Sequence, residues 1–219
     1  MREAATAEAG AEVLSCLQAA LGYAARGWPV LALHSVRDGG RCTCNRECGS
    51  PGKHPIKTLT PHGFKDATTD ATTIRAWWER CLWANVGIVV GIEVADGKRL
   101  GVVDLDRHGD VDGVDLAAEV YGYDPKAAGA CARTGSGGLH GFMLLPADMP
   151  LKSRTGDDAP APGVEIKVSG YVVAQPSLHA SGSRYEWLVD PADEPIPDAP
   201  QWVIEALRAA DEGADEVGG

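Results

Sequence analysis

The sequence predicts an α+β fold, with a mixed or antiparallel sheet, flanking helices and a small inserted Cys/His loop. Three observations predict it. Short β-branched runs parted by Gly, Pro and Ser crowd the second half of the chain, apolar residues at helical spacing fall near both ends, and Cys, Gly, Pro and Lys fill residues 35–65. At 219 residues and 44% hydrophobic, the chain has the size and apolar content of one ordinary domain, assigned to residues 1–210.

Residues 7–26 read as an amphipathic helix, since Val13, Leu14, Leu17, Ala20, Leu21 and Ala24 recur on one face and Gly27 is placed to stop it. A strand follows over Trp28–Leu33, with Pro29 at its start, where a missing donor is tolerated. The segment 35–65 reads as a long loop, which is uncommon unless functional. Asp70 is positioned to cap a helix over 71–81 that is anchored by Trp77 and Trp78. Strands are expected at Val86–Val90 and Leu100–Leu105, then a short helix over 112–121. Five further strands are expected at Cys131–Arg133, Leu139–Leu145, Val164–Val168, Tyr171–Ala174 and Tyr185–Leu188. A helix over 198–210 precedes an acidic tail, 211–219, expected to be disordered.

The net charge of −11 is unevenly spread. Residues 189–219 hold nine acidic side chains and one basic, so the body between the two termini is close to neutral. Global acidity speaks to solubility, not to what a local cleft binds. No apolar run approaches a membrane span, and Met1-Arg2-Glu3 opens no signal-peptide pattern, so a cytoplasmic protein is expected. Three of the six cysteines fall within seven residues, which in a reducing compartment favours a metal over disulfides.

Four clusters carry candidate chemistry. In Val102-Val103-Asp104-Leu105-Asp106, strand alternation puts both carboxylates on one face. Two such carboxylates repel each other, and a divalent cation such as Mg²⁺ relieves them. Taken alone the pair is equally an ordinary strand end, since Arg107-His108-Gly109-Asp110 follows. In Arg133-Thr134-Gly135-Ser136-Gly137-Gly138-Leu139-His140, glycines between two strands let the backbone approach an anion, and His140 is placed to donate to a triphosphate. The stretch is neither a Rossmann fingerprint nor a P-loop, and an ordinary glycine hairpin fits it as well. Glu165 and Lys167 share one face of the strand Val164–Val168, as a further metal ligand and a phosphate contact or as a solvated pair. Finally, Cys42, Cys44, Cys48 and His54 offer three thiols and one imidazole within 13 residues, enough to close a structural zinc site over a loop at about 38–58. Arg41, Arg46, Lys53 and Lys57 surround it, which suits a nucleic-acid backbone or simply keeps an exposed loop soluble.

The order of these clusters, together with Gly52-Lys53-His54-Pro55 and the later Gly170-Tyr171-Val172-Val173-Ala174-Gln175-Pro176-Ser177, resembles the bifunctional DNA primase/polymerase (prim-pol) N-terminal domain of the archaeo-eukaryotic primase superfamily. The resemblance runs from about Ala19 to Trp187. It implies template-directed synthesis and extension of primers in DNA replication, with nucleoside triphosphates and a single-stranded DNA template as partners. On that reading Asp104, Asp106 and Glu165 hold two Mg²⁺ or Mn²⁺ ions. His140 is catalytic and, with Ser136, Gly137, Gly138 and Lys167, binds the nucleotide. The third acidic position is usually Asp in this family and is Glu165 here. Many relatives continue into a helicase domain, so a stand-alone enzyme or one served by a separate helicase is implied. Two other classes fit the same residues: a zinc-containing nucleic-acid-binding module without activity, and a metal-dependent nuclease, against which the Gly-Gly-x-His element argues.

Overall fold

The computed structural model describes residues 16–95 and 97–215. In chain order the elements are α1 (16–25), β1 (Val30–Leu33), β2 (Val36–Arg37), β3 (Arg41–Cys42), α2 (Ala71–Arg80) and β4 (Asn85–Val89). Next come β5 (Glu93–Ala95), β6 (Lys98–Leu105), β7 (Arg107–His108), β8 (Val111–Asp112), α3 (Gly113–Tyr121) and α4 (Pro125–Ala128). The last are β9 (Cys131–Arg133), β10 (Leu139–Pro146), β11 (Val164–Lys167), β12 (Tyr171–Val173), β13 (Glu186–Val189) and α5 (Gln201–Asp215). The α+β expectation holds, with antiparallel ladders joining β1 to β4, β4 to β12, β2 to β3, β7 to β8, β9 to β10, and β6 to β5, β10 and β11.

Contacts group the chain into two units, Met1–Val89 with Tyr171–Glu186, and Val90–Gly170 with Trp187–Gly219. The first is built on a three-stranded sheet in the order β1-β4-β12. Every residue of β1 and β4 is buried, which is why both read as unbroken apolar runs rather than alternating ones. Trp78 of α2 is fully buried and donates its indole N–H to the Ala84 carbonyl at 3.2 Å. Tyr23 of α1 stacks on Trp28 at 5.9 Å and donates its hydroxyl to the Gln175 carbonyl at 2.9 Å. The part of the expected 7–26 helix before residue 16 lies outside the described residues.

The expected cap on α2 is present. Asp70 accepts from the Thr73 amide at 2.7 Å and from its hydroxyl at 2.6 Å, and these bonds hold the Asp70 carboxyl below its ordinary range. Asp70→Ala leaves that amide without its acceptor, and the melting temperature is expected to fall by about 2–4 °C in a thermal unfolding scan.

The second unit carries a six-stranded sheet in the order β11-β6-β10-β9-β13, with β5 on β6. Val103, Leu105, Val164, Ile166, Met143 and Leu145 from its strands pack with Val203 and Leu207 of α5 into one buried cluster. Asp112 caps α3 by accepting from the Val114 and Asp115 amides, and Gly122 ends it at φ 60°, a left-handed conformation that suits glycine.

Several expectations are corrected. The segment 35–65 is not a plain loop, because it contains the hairpin β2–β3 and a 3₁₀ turn over Gly63–Asp66. Helix α5 runs to Asp215, so residues 211–215 of the acidic tail are helical, and residues 216–219 lie outside the described residues. Strand β5 and helix α4 were not expected. The first is only three residues long, and the second is a single turn started by the Asp124 cap and Pro125.

Candidate active site and metal centre

Strand β6 lies between β10 and β11, and its register decides what meets Asp104. On one side Asp104 pairs with His140, and on the other with Glu165, so the three side chains form a row across three strands. Strand alternation sends Val103 and Leu105 into the apolar cluster and leaves this row on the opposite face. Asp106 stands one residue beyond the end of β6. Its backbone N–H donates to Gly163 and its carbonyl accepts from Gly113, both at 2.8 Å, which fixes it beyond the strand end. Ligand oxygens of Asp104, Asp106 and Glu165 all lie within 4.8 Å of one another. The longer side chain of Glu165 therefore still reaches the aspartates. One of its oxygens accepts from the Gly156 amide at 2.9 Å and the other from Lys167 Nζ at 2.6 Å.

Charge balance in the row is tight. Burial by itself would raise the Asp104 carboxyl, but His140 and then Lys167 outweigh it and hold the group at about 2. His140 Nε2 is 3.3 Å from Asp104 Oδ1, and Lys167 Nζ is 3.4 Å from Oδ2. Burial would likewise lower the Lys167 ammonium, yet Asp104 and Glu165 keep it above its ordinary range. Asp104 Oδ1 is buried, with His140 at ion-pair distance but no hydrogen bond of good geometry to it. Three carboxylates whose oxygens converge within 4.8 Å, around a buried aspartate with only one imidazole and one ammonium beside it, form a donor set that suits a divalent cation with oxygen ligands, so the residues fit Mg²⁺ or Mn²⁺.

Beside the row, the turn from β9 to β10 holds the glycines. Thr134 N donates to the Gly138 carbonyl at 2.9 Å, and Gly137 N to the Thr134 carbonyl at 3.0 Å, closing the turn. The Ser136 and Thr134 hydroxyls are 3.0 Å apart. Glycine is required at 138, where a Cβ would collide with the Leu105 carbonyl oxygen. One nearby cation lay outside the sequence reading. Arg107 directly follows the Asp-x-Asp pair and is held in the two-residue ladder β7–β8 by Asp112 at 2.9 Å, with its guanidinium 3.5 Å from the Gly137 carbonyl. A two-residue ladder leaves no periodic trace, so Arg107 reads as part of a turn from sequence.

The second cluster lies in the first unit. The hairpin β2–β3 puts Cys42 opposite Val36, and Asn45 at φ 58° turns the chain back after Cys44. Ligand atoms of Cys42, Cys44, Cys48 and His54 lie within 4.8 Å of one another, with Cys42 Sγ 3.2 Å from His54 Nε2. Burial pushes the Cys42 thiol up, whereas the Arg46 backbone draws Cys44 down. A closed set of three thiols and an imidazole at this spread fits Zn²⁺, which takes the thiolate forms.

What holds this loop in place was not legible. Asn85, buried on β4, donates to the Gly52 and Leu178 carbonyls and accepts from the Ser35 hydroxyl and the Leu178 amide, all at 2.8–3.0 Å. A polar residue opening an apolar run was the signal available. His54 itself is tied to β1, its carbonyl accepting from the His34 amide at 2.8 Å.

No helix among the described residues is long and apolar enough to cross a membrane. A comparison with curated proteins found no match. The model of the family described as bifunctional DNA primase/polymerase, N-terminal, matches residues 20–202. Because that match takes in every cluster described above, from Cys42 to Lys167, the chain belongs to the Prim-Pol family, whose chemistry is nucleotidyl transfer of the primase/polymerase type.

Proposed function

We propose that residues 1–210 form a catalytic domain that makes and extends primers on single-stranded DNA in replication, using nucleoside triphosphates. The observation that carries this reading is the row His140–Asp104–Glu165 with Asp106 beside it, three carboxylates whose oxygens lie within 4.8 Å of one another. Asp104, Asp106 and Glu165 would hold two Mg²⁺ or Mn²⁺ ions. Bound there, the metal supplies a lower pKa for the attacking 3′-hydroxyl and charge neutralisation at the leaving pyrophosphate. His140, on the strand beside Asp104, donates to a phosphate oxygen of the incoming nucleotide. Ser136 and the close backbone approach that Gly137 and Gly138 allow orient the triphosphate, and Lys167 balances charge between the carboxylates and the nucleotide. Cys42, Cys44, Cys48 and His54 hold a structural Zn²⁺, a thiol site that suits a reducing cytoplasm.

The test is extension of a labelled primer on a single-stranded template with Mg²⁺ or Mn²⁺ and nucleotides. Stepwise lengthening is expected, and His140→Ala should raise the KM for nucleotide by about tenfold to a hundredfold, as loss of a charge-assisted contact does. Shortened products would instead make the protein a nuclease. DNA binding with neither lengthening nor shortening would make it a binding module.

A further inference from the structure

The Cys/His loop does more than enclose a candidate zinc site. Cys42 and Cys48 of the site border a hollow of about 520 Å³ that is lined otherwise by Arg37, Arg41, Arg46 and Asn45 and by no carboxylate. All three arginines are exposed, and among the described residues none of them makes an ion pair. The ladder β2–β3 sets Arg37 directly opposite Arg41. Like charges facing each other across a two-stranded ladder destabilise it, and in a chain of net charge −11 such a concentration is out of keeping with the rest. An anion between them removes the conflict. The nearest acids in sequence, Asp38 and Glu47, are exposed and do not line this hollow.

A second hollow, of about 430 Å³, takes in Cys44, Cys48 and His54 of the Cys/His site, shares Arg46 with the first, and reaches His34 and Lys57, with Glu47 as its one carboxylate. The two thus flank the Cys/His site with Arg46 in common, and together they offer more than one place for a phosphate. On His34 stacks Trp83, ring centroids 5.6 Å apart and planes within 23°, with the indole still 40% exposed. An exposed indole backed by a second ring is a platform for an unpaired base, and cations along a groove track a phosphate backbone.

We infer that this face of the first unit, Arg37, Arg41 and Arg46 with Trp83, binds single-stranded DNA by its phosphates and by one stacked base. The choice of DNA rests on the function proposed above. The Cys/His site acts here as the clamp that sets the arginines, while the DNA touches the arginines and the indole.

The experiment measures binding of a fluorescent oligothymidylate to the full chain across a range of salt concentrations. The triple variant Arg37→Ala/Arg41→Ala/Arg46→Ala should lower the slope of log K against log salt by about two, since each single-strand phosphate contact contributes ~0.7. Trp83→Ala should weaken binding about tenfold with the slope unchanged, and should not affect binding of a duplex of the same length. If the triple variant does not fold, Arg46→Glu, at the side chain shared by both hollows, reads the same slope. An unchanged slope and affinity in these variants would overturn the inference. So would displacement of the oligonucleotide by inorganic triphosphate alone at equal phosphate concentration, which would make the hollow a nucleotide site. Asp104→Ala is the separating control, because it should bind the oligonucleotide as the parent does. A protein that fails to extend primers while its arginine variants lose DNA would sink the proposed activity and leave this binding face standing.

Discussion

Asp104→Ala is expected to reduce nucleotide incorporation by roughly a hundredfold to a thousandfold, the scale on which losing a buried electrostatic stabiliser of a transition state is felt. Asp104 is the middle member of the row, flanked by His140 on β10 and Glu165 on β11, and His140 and Lys167 both approach its carboxylate. Without its charge, His140 and Lys167 face a metal position held only by Asp106 and Glu165, and Lys167 already occupies one Glu165 oxygen at 2.6 Å. Asp104→Asn keeps the shape and separates charge from packing. It should melt within a few degrees of the parent yet share the loss of activity and of Mn²⁺ binding measured by titration calorimetry. Retention of more than about a tenth of the parent rate in both variants would remove Asp104 from the catalytic machinery.

Removing the metal from the Cys/His loop should have the second largest effect, this time on stability. Cys48→Ser is expected to reduce bound zinc from a full equivalent to a trace and to lower the melting temperature by on the order of 5–10 °C. The loop has little apolar mass of its own. Cys42 and Ile56 are buried, but residues 45–47 and 49–50 are exposed, so on the proposed reading zinc–thiolate bonds would supply what packing does not. Metal analysis of the purified protein checks the first part and a melting scan with and without chelator checks the second. A protein that carries no zinc as purified, and melts identically with chelator, would show that hydrogen bonds such as those of Asn85 hold the loop alone.

The parts of this structure that could be read in advance were those with a local cause. Asp70 and Asp112 announce their helices because a cap acts within one turn, and the runs around Val86 and Val102 announce strands because burial repeats along them. Asp104, Asp106, Glu165 and His140 were each identifiable by residue type and setting, and the structure does bring the three carboxylates together. That Asp104 is flanked on both sides at one level was beyond reach, because strand order is decided by pairing between segments sixty residues apart. The same limit hid the division into two units and the role of Asn85, whose partners Ser35, Gly52 and Leu178 come from three distant segments. Ladders as short as β2–β3 and β7–β8 left no pattern, so the facing pair Arg37–Arg41 and the position of Arg107 emerged only in three dimensions.

The shared level of His140, Asp104 and Glu165 also couples correct folding to a working site. If β10 or β11 slipped by one residue against β6, every side chain of the slipped strand would change face. A slip of β11 would drive Glu165 and Lys167 into the cluster now filled by Val164 and Ile166, where two ionised groups would lose their water among Met143, Leu145 and Leu207. A misregistered sheet is thus penalised by the same charges that would bind metal, so molecules that complete the sheet have, by that fact, assembled their carboxylates. The charged row acts as a checkpoint on assembly.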